Sequence, residues 1–150
     1  MNFVLDASVA VAWCMEDEGG PYVMEVLESL RGSEAVVAHH WSLEVTNALL
    51  SAERRGRIDR TGVTRFFTLL LALPIAVDPV GRAIAFQETQ RLARAHGLTS
   101  YDAAYLELAL RTGVPLATLD GRLREAAAAE GVALHLAGWA TSEVTPPPSR

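Results

Sequence analysis

The 150-residue sequence contains no lysine; all thirteen basic residues are arginine. This excludes a P-loop, whose lysine reaches the phosphates, and Schiff-base chemistry on a lysine amine. Cysteine is nearly absent. Cys14 alone rules out an internal disulfide framework, and the simplest compartment is the cytoplasm. Positive charge is in the minority, and the formal net charge of −5 argues against a protein that coats nucleic acid indiscriminately. Long apolar runs are also missing. The longest, FFTLLLALPIAV, is too short to span a bilayer and is interrupted by Pro74, so no membrane span is expected. The opening MNFVLDAS carries no basic region before its apolar residues, so no signal peptide is expected.

What is present is apolar and patterned. Half of the residues are hydrophobic and mean hydropathy is +0.18, which suits a packed domain rather than a disordered chain. NFVL is a short apolar run that stops at Asp6 and reads as a buried strand. The apolar helix ASVAVAWCM follows, then a break at EDEGGP and a helix from Pro21 to Gly32. EAVVA reads as the second strand. HWSLEVTNALLSAERRG and RTGVTRFFTLLLAL read as helices, IAV as the third strand, and GRAIAFQETQRLARAHG as one helix. Thr99 is placed to cap the next helix, which runs to Gly113. PLATLD is the fourth strand, RLREAAAAEG a helix, and VALHLA a fifth strand. Short apolar strands alternating with helices predict an α/β domain, with a parallel sheet of about five strands and helices on both faces. The domain is expected over residues 1–140, with a Pro-rich flexible tail over 141–150.

In such sheets, function collects beyond the carboxyl ends of the strands. Asp6 ends the first strand and Asp120 the fourth. Thr118 shares the face of Asp120 in an extended chain. Glu44 lies early in the helix after strand two, with Asn47 three residues on. Asp102 is in the first turn of its helix, roughly 140° around the axis from Glu107. Glu107 pairs at i, i+4 with Arg111, which assigns that side to water. Each acid has an ordinary reading: Asp6 as a cap, Asp102 in a capping box with Thr99, Glu44 as a dipole-favoured first-turn acid, and Asp120 as a turn or cap residue. The functional case rests on all four sharing one edge. Together they would repel unless a divalent cation sat among them. An all-oxygen site suits Mg²⁺ or Mn²⁺, as one or two ions, and not zinc. Such a site supports metal-assisted phosphodiester hydrolysis.

Other residues carry weaker signals. Cys14 reads as helix packing, and Asp78 before Pro79 as turn chemistry. His39 and His40 are possible substrate contacts but have no partner at metal-ligand spacing. Arg54, Arg55, Arg57 and Arg60 read as a solvated helix end. Arg122 and Arg124 stand beside Asp120 and are candidate contacts to a substrate's phosphates.

FVLDASVAVAW, LEVTNAL and LTSYDAAYLELALRTGVPLATLDGRLREAA occur here in order, followed by a terminal GV strand. Together they resemble the PIN-domain ribonucleases, and within them the VapC-type toxins of toxin–antitoxin pairs, over about residues 3–137. The resemblance implies catalytic, metal-holding roles for Asp6, Glu44, Asp102 and Asp120, with Ser8 and Thr118 as supporting hydroxyls and Asn47 as a polar neighbour. It implies an Mg²⁺- or Mn²⁺-dependent endoribonuclease acting on structured RNA such as tRNA or ribosomal RNA. It also implies a homodimer and a cognate antitoxin that blocks the site. One departure is visible: many relatives carry a proline just after the second strand, where this chain has AVVAHHW. The alternative is a non-catalytic RNA-binding module of the same fold, which loss of an acid would favour. A phosphoacceptor signalling domain would need a late lysine, and a phosphotransferase a second acid where Ser8 stands.

Overall fold

The computed structural model describes residues 2–15, 20–79 and 81–142. The EDEGGP break lies largely outside these residues, as does the expected tail from residue 143 onward. Four short strands, β1 (Phe3–Leu5), β2 (Ala35–Val37), β3 (Ile75–Val77) and β4 (Leu116–Ala117), form one sheet. Their order is β3-β2-β1-β4 and every pairing is parallel. The chain therefore winds one way from β1 through β3 and returns to the other side of β1 as β4. The switch point lies between β1 and β4, where open α/β sheets leave a crevice.

β1 is central, and Phe3, Val4 and Leu5 are fully buried, which explains why the strand is apolar throughout instead of alternating. Helix α1 (Ala7–Cys14) follows, then α2 (Gly20–Ser29), α3 (Trp41–Arg54), α4 (Arg60–Ala72), α5 (Arg82–Ile84), α6 (Gln90–His96), α7 (Ser100–Thr112), α8 (Gly121–Ala129) and α9 (Ala137–Ser142). Local sequence sets their ends. Asp59 accepts from Gly62 N at 2.7 Å to cap α4, and Thr99 Oγ1 accepts from Asp102 N at 3.1 Å to cap α7. Gly113, at φ 71°, closes α7 in a left-handed conformation that costs glycine little.

Three features differ from the sequence-based expectation. The expected fifth strand, VALHLA, contributes one isolated bridge, Leu116 to Leu134. Leu136, at φ 53°, turns the chain out of the extended run, and α9 follows. The segment read as one helix from Gly81 carries a π-helical turn, Ala85–Thr89, between α5 and α6, an insertion that a 3.6-residue periodicity does not reveal. Glu107 does not face water: it is 6% exposed. Arg111 Nε donates to its Oε1 at 2.7 Å while Arg111 Nη2 reaches Asp78 Oδ2 at 2.7 Å. Asp78, read as a turn residue, thus ties the end of β3 to α7.

Candidate active site

Asp6 leaves β1 in an extended conformation and begins α1, yet its side chain makes no cap bond. Its backbone N–H donates to Ala117 O at 3.0 Å, which carries the β1–β4 pairing up to the carboxylate. Both neighbouring hydroxyls turn onto one oxygen. Thr118 Oγ1 donates to Asp6 Oδ2 at 2.6 Å and Ser8 Oγ donates to the same atom at 2.8 Å. Those hydroxyls are themselves held: Ser8 Oγ accepts from Leu119 N at 3.1 Å, and Thr118 Oγ1 accepts from Asp120 N at 3.0 Å. Among the described residues, no side chain bonds Asp6 Oδ1.

A cavity of about 490 Å³ opens here, lined by Asp6, Ser8, Glu44, Asp102 and Asp120 with Val11, Ala48 and Leu119 among its apolar walls. The structure thus brings all four acids to one cavity, and among the described residues no arginine or histidine lines it. Asp6 is 3% exposed. Burial raises its carboxyl to about 6, against the hydrogen bonds of Thr118 and Ser8, and the charges of Asp102 and Glu44 push the same way. Asp102 is also raised, by burial first and then by Asp120 and Glu44. Asp6 thus feels the charges of Asp102 and Glu44, and Asp102 those of Asp120 and Glu44, across the cleft. The acids line the walls rather than closing on one point: among the described residues, no three His, Cys, Asp or Glu groups form a ready metal cage.

Asp120 lines the cavity and also caps α8: its Oδ1 accepts from Leu123 N at 2.9 Å, as the ordinary reading of this residue expects. Glu44 sits in the first turn of α3. Its Oε1 accepts from the Tyr105 hydroxyl at 2.8 Å, and His40 Nε2 stands 2.7 Å from the same oxygen. Burial, then the charges of Asp6 and Glu44, raise the Tyr105 phenol above its ordinary value, so Tyr105 stays a proton-bearing donor.

Sequence reasoning did not assign Tyr105 to the site, although the signal was there: Tyr105 is three residues from Asp102 and so shares its side of α7. Tyr105→Phe is expected to keep the buried ring in place and leave unfolding within about 1 kcal/mol of wild type. It would lower any activity that depends on Glu44 by about 10- to 100-fold, the usual cost of losing a group that orients a ligand. Parallel thermal melts and activity assays check this.

Three of the expected residues stand elsewhere. Asn47 is exposed and Ala48, one position further on α3, lines the cavity instead; i+4 stacks on Glu44 more closely than i+3. Arg122 lines a different cavity, with His96 and Glu125. Arg124 turns inward. Its Nε donates to Thr118 O at 2.8 Å, and the guanidinium lies 5.2 Å from the Tyr22 ring centre. That placement supports β4 from below the site.

Known proteins share the sequence pattern and the fold. The sequence model of the PIN domain matches residues 3–129. The chain is 31% identical over 128 residues to ribonuclease VapC3 of Pyrobaculum aerophilum, covering 83% of this chain and 94% of that protein. It is 35% identical over 123 residues to ribonuclease VapC12 of Mycobacterium tuberculosis, covering 81% and 89%. Its fold is similar, with a TM-score of 0.64 at 11% identity, to a chain in the crystal structure of VapBC2 from Rickettsia felis bound to a DNA fragment from their promoter. That match covers 90% of this chain and 98% of the other.

Proposed function

Because the chain belongs to the PIN domain family, among ribonucleases of the VapC type, we propose that it is a metal-dependent endoribonuclease acting as the toxin of a toxin–antitoxin pair. The observation that carries this reading is the buried carboxylate of Asp6, whose Oδ2 is fixed by two hydroxyls while Oδ1 is left for a ligand, facing Glu44, Asp102 and Asp120 across one cavity. Asp6, Glu44, Asp102 and Asp120 would hold Mg²⁺ or Mn²⁺, as one or two ions; oxygen donors without histidine or cysteine suit those cations. When bound, the metal supplies Lewis acidity and a water of lowered pKa at the scissile phosphate.

The protein's own residues position the acids. Ser8 and Thr118 aim Asp6, Tyr105 aims Glu44, and α8 draws on Asp120 for its first turn while leaving that residue at the cavity wall. Hydrolysis by a metal-activated water needs no protein nucleophile; the Ser8 hydroxyl donates to Asp6 and accepts from Leu119 N. The substrate would be structured RNA such as tRNA or ribosomal RNA, met in the cytoplasm by a homodimer. A cognate antitoxin would silence the cleft, most simply with a basic group against the four carboxylates. Among the described residues, no helix is long and apolar enough to cross a membrane.

The test is cleavage of total cellular RNA by the purified, antitoxin-free protein with Mn²⁺ or Mg²⁺ and with EDTA. Discrete fragments that require the metal are expected. Intact RNA beside calorimetrically confirmed metal binding would overturn the nuclease reading in favour of a non-catalytic RNA-binding module.

A further inference from the structure

A second cavity, of about 130 Å³, adjoins the acidic one. His40 links them: it lines the second cavity, and its Nε2 lies 2.7 Å from Oε1 of Glu44, which lines the first. Tyr101, next to Asp102 in the chain, lines the second cavity and is 62% exposed. Three rings gather at the mouth. His39 and His40 are edge to face with centres 5.4 Å apart, and His40 and Tyr101 are 5.6 Å apart and tilted. The floor is apolar, with Ala104 and Leu108, and ends at the buried Glu107, itself paired with Arg111, which also reaches Asp78. The opposite wall includes Ala85, the first residue of the π-helical turn, a distortion often found beside functional sites.

Exposed aromatic rings over an apolar floor bind flat rings by stacking. The volume is well below the ~300–1,000 Å³ that encloses a drug-sized ligand, so it suits one ring system and not an oligonucleotide segment. Because His40 touches Glu44 and Tyr101 precedes Asp102 in the chain, a ring bound here lies beside the acidic cleft. We propose that this cavity receives a single unstacked nucleobase of the RNA substrate, adjacent to the scissile phosphate, with Tyr101 and His39 as its stacking platform. The proposal rests on the nuclease reading and gives it a source of sequence preference. Single-stranded RNA is read in this way, with bases splayed out onto aromatic side chains.

The probes are the four nucleoside 5′-monophosphates, with ribose 5-phosphate as the base-free control. They are titrated into wild type, Tyr101→Ala, Tyr101→Phe and His39→Ala, followed by NMR of the histidine ring protons. Tyr101 and His39 are exposed, so these variants keep the fold, and a thermal melt confirms it. At least one monophosphate is expected to bind more tightly than ribose 5-phosphate. Tyr101→Ala should weaken it by about 5- to 100-fold, the range for one base stacked on one aromatic ring, and Tyr101→Phe should restore it. Equal affinities for monophosphate and ribose 5-phosphate, or no loss in Tyr101→Ala, would overturn the proposal. Mapped fragment ends give the second readout: a fixed base beside the cut in wild type, relaxed in Tyr101→Ala. Base binding without RNA cleavage would remove the nuclease reading and leave the base site standing. Cleavage with ends unchanged in Tyr101→Ala would do the reverse.

Discussion

Asp102→Asn is expected to fold as wild type and to lose RNA cleavage by at least about 10²- to 10³-fold, the scale on which single groups that organise charge in a transition state are missed. The fold survives because Asp102 supports α7 through its backbone: Thr99 Oγ1 accepts from Asp102 N, a bond that asparagine keeps. The carboxylate charge has the opposite net effect. Burial raises its pKa, and Asp120 and Glu44 raise it further, outweighing a hydrogen bond with Thr99 that lowers it, so its charge is held in the cleft against its own preference. Removing that charge relieves repulsion and would leave the protein as stable as wild type or slightly more so. A variant that is no less stable yet inactive separates function from folding at this residue. Thermal unfolding and RNA cleavage measured in one buffer check it, and full cleavage by Asp102→Asn would end the assignment of the acidic quartet.

The four acids were legible because each stands at a boundary that local sequence marks: a strand end or the first turn of a helix. Their convergence follows from parallel strands alone, since these put strand ends and helix starts on one edge of the sheet. What was not legible depends on residues distant in the chain. Glu107 and Arg111 look like a surface pair at i, i+4, yet tertiary packing buries Glu107 while Arg111, still exposed, reaches Asp78, 33 residues away. Tyr105 donates to a carboxylate 61 residues away, so helical periodicity sees only a buried ring. Arg124 looks like a free cation beside Asp120 until the carbonyl of Thr118 is found beneath it. The fifth strand failed for a local reason of a different kind. VALHLA has strand-like residues, but the left-handed backbone at Leu136 is not encoded by any glycine or asparagine there.

Asp6 leads to the other large expectation, a stability that depends jointly on pH and divalent cation. Its carboxyl titrates near 6 in the folded protein against an ordinary value of 3.8. Between those values the folded state holds a proton that the unfolded state has released, so this residue makes stability fall as pH rises through the window. A shift of that size corresponds to on the order of 3 kcal/mol. His135 works in the opposite sense. It is stacked on Phe3 with ring centres 3.8 Å apart, and burial lowers its pKa to about 4. Between about 4 and its ordinary 6.5 the unfolded state holds the extra proton, so stability from His135 rises with pH. The two slopes oppose, and the wild-type melting temperature is expected to change little between pH 4 and pH 6.5. Asp6→Asn removes one of them. In EDTA, this variant should gain stability relative to wild type as pH rises from 4 to 7, by on the order of 3 kcal/mol. Saturating Mn²⁺ should abolish the gain, because a cation neutralises in wild type the charge that the mutation deletes, and binding to the folded state alone adds stability by mass action. Melts at pH 4, 5.5 and 7, with EDTA and with Mn²⁺, measure the difference directly. Parallel pH profiles for the two proteins in EDTA would show that Asp6 is not held charged against its burial, and the case for a cation among these four acids would lose its physical basis.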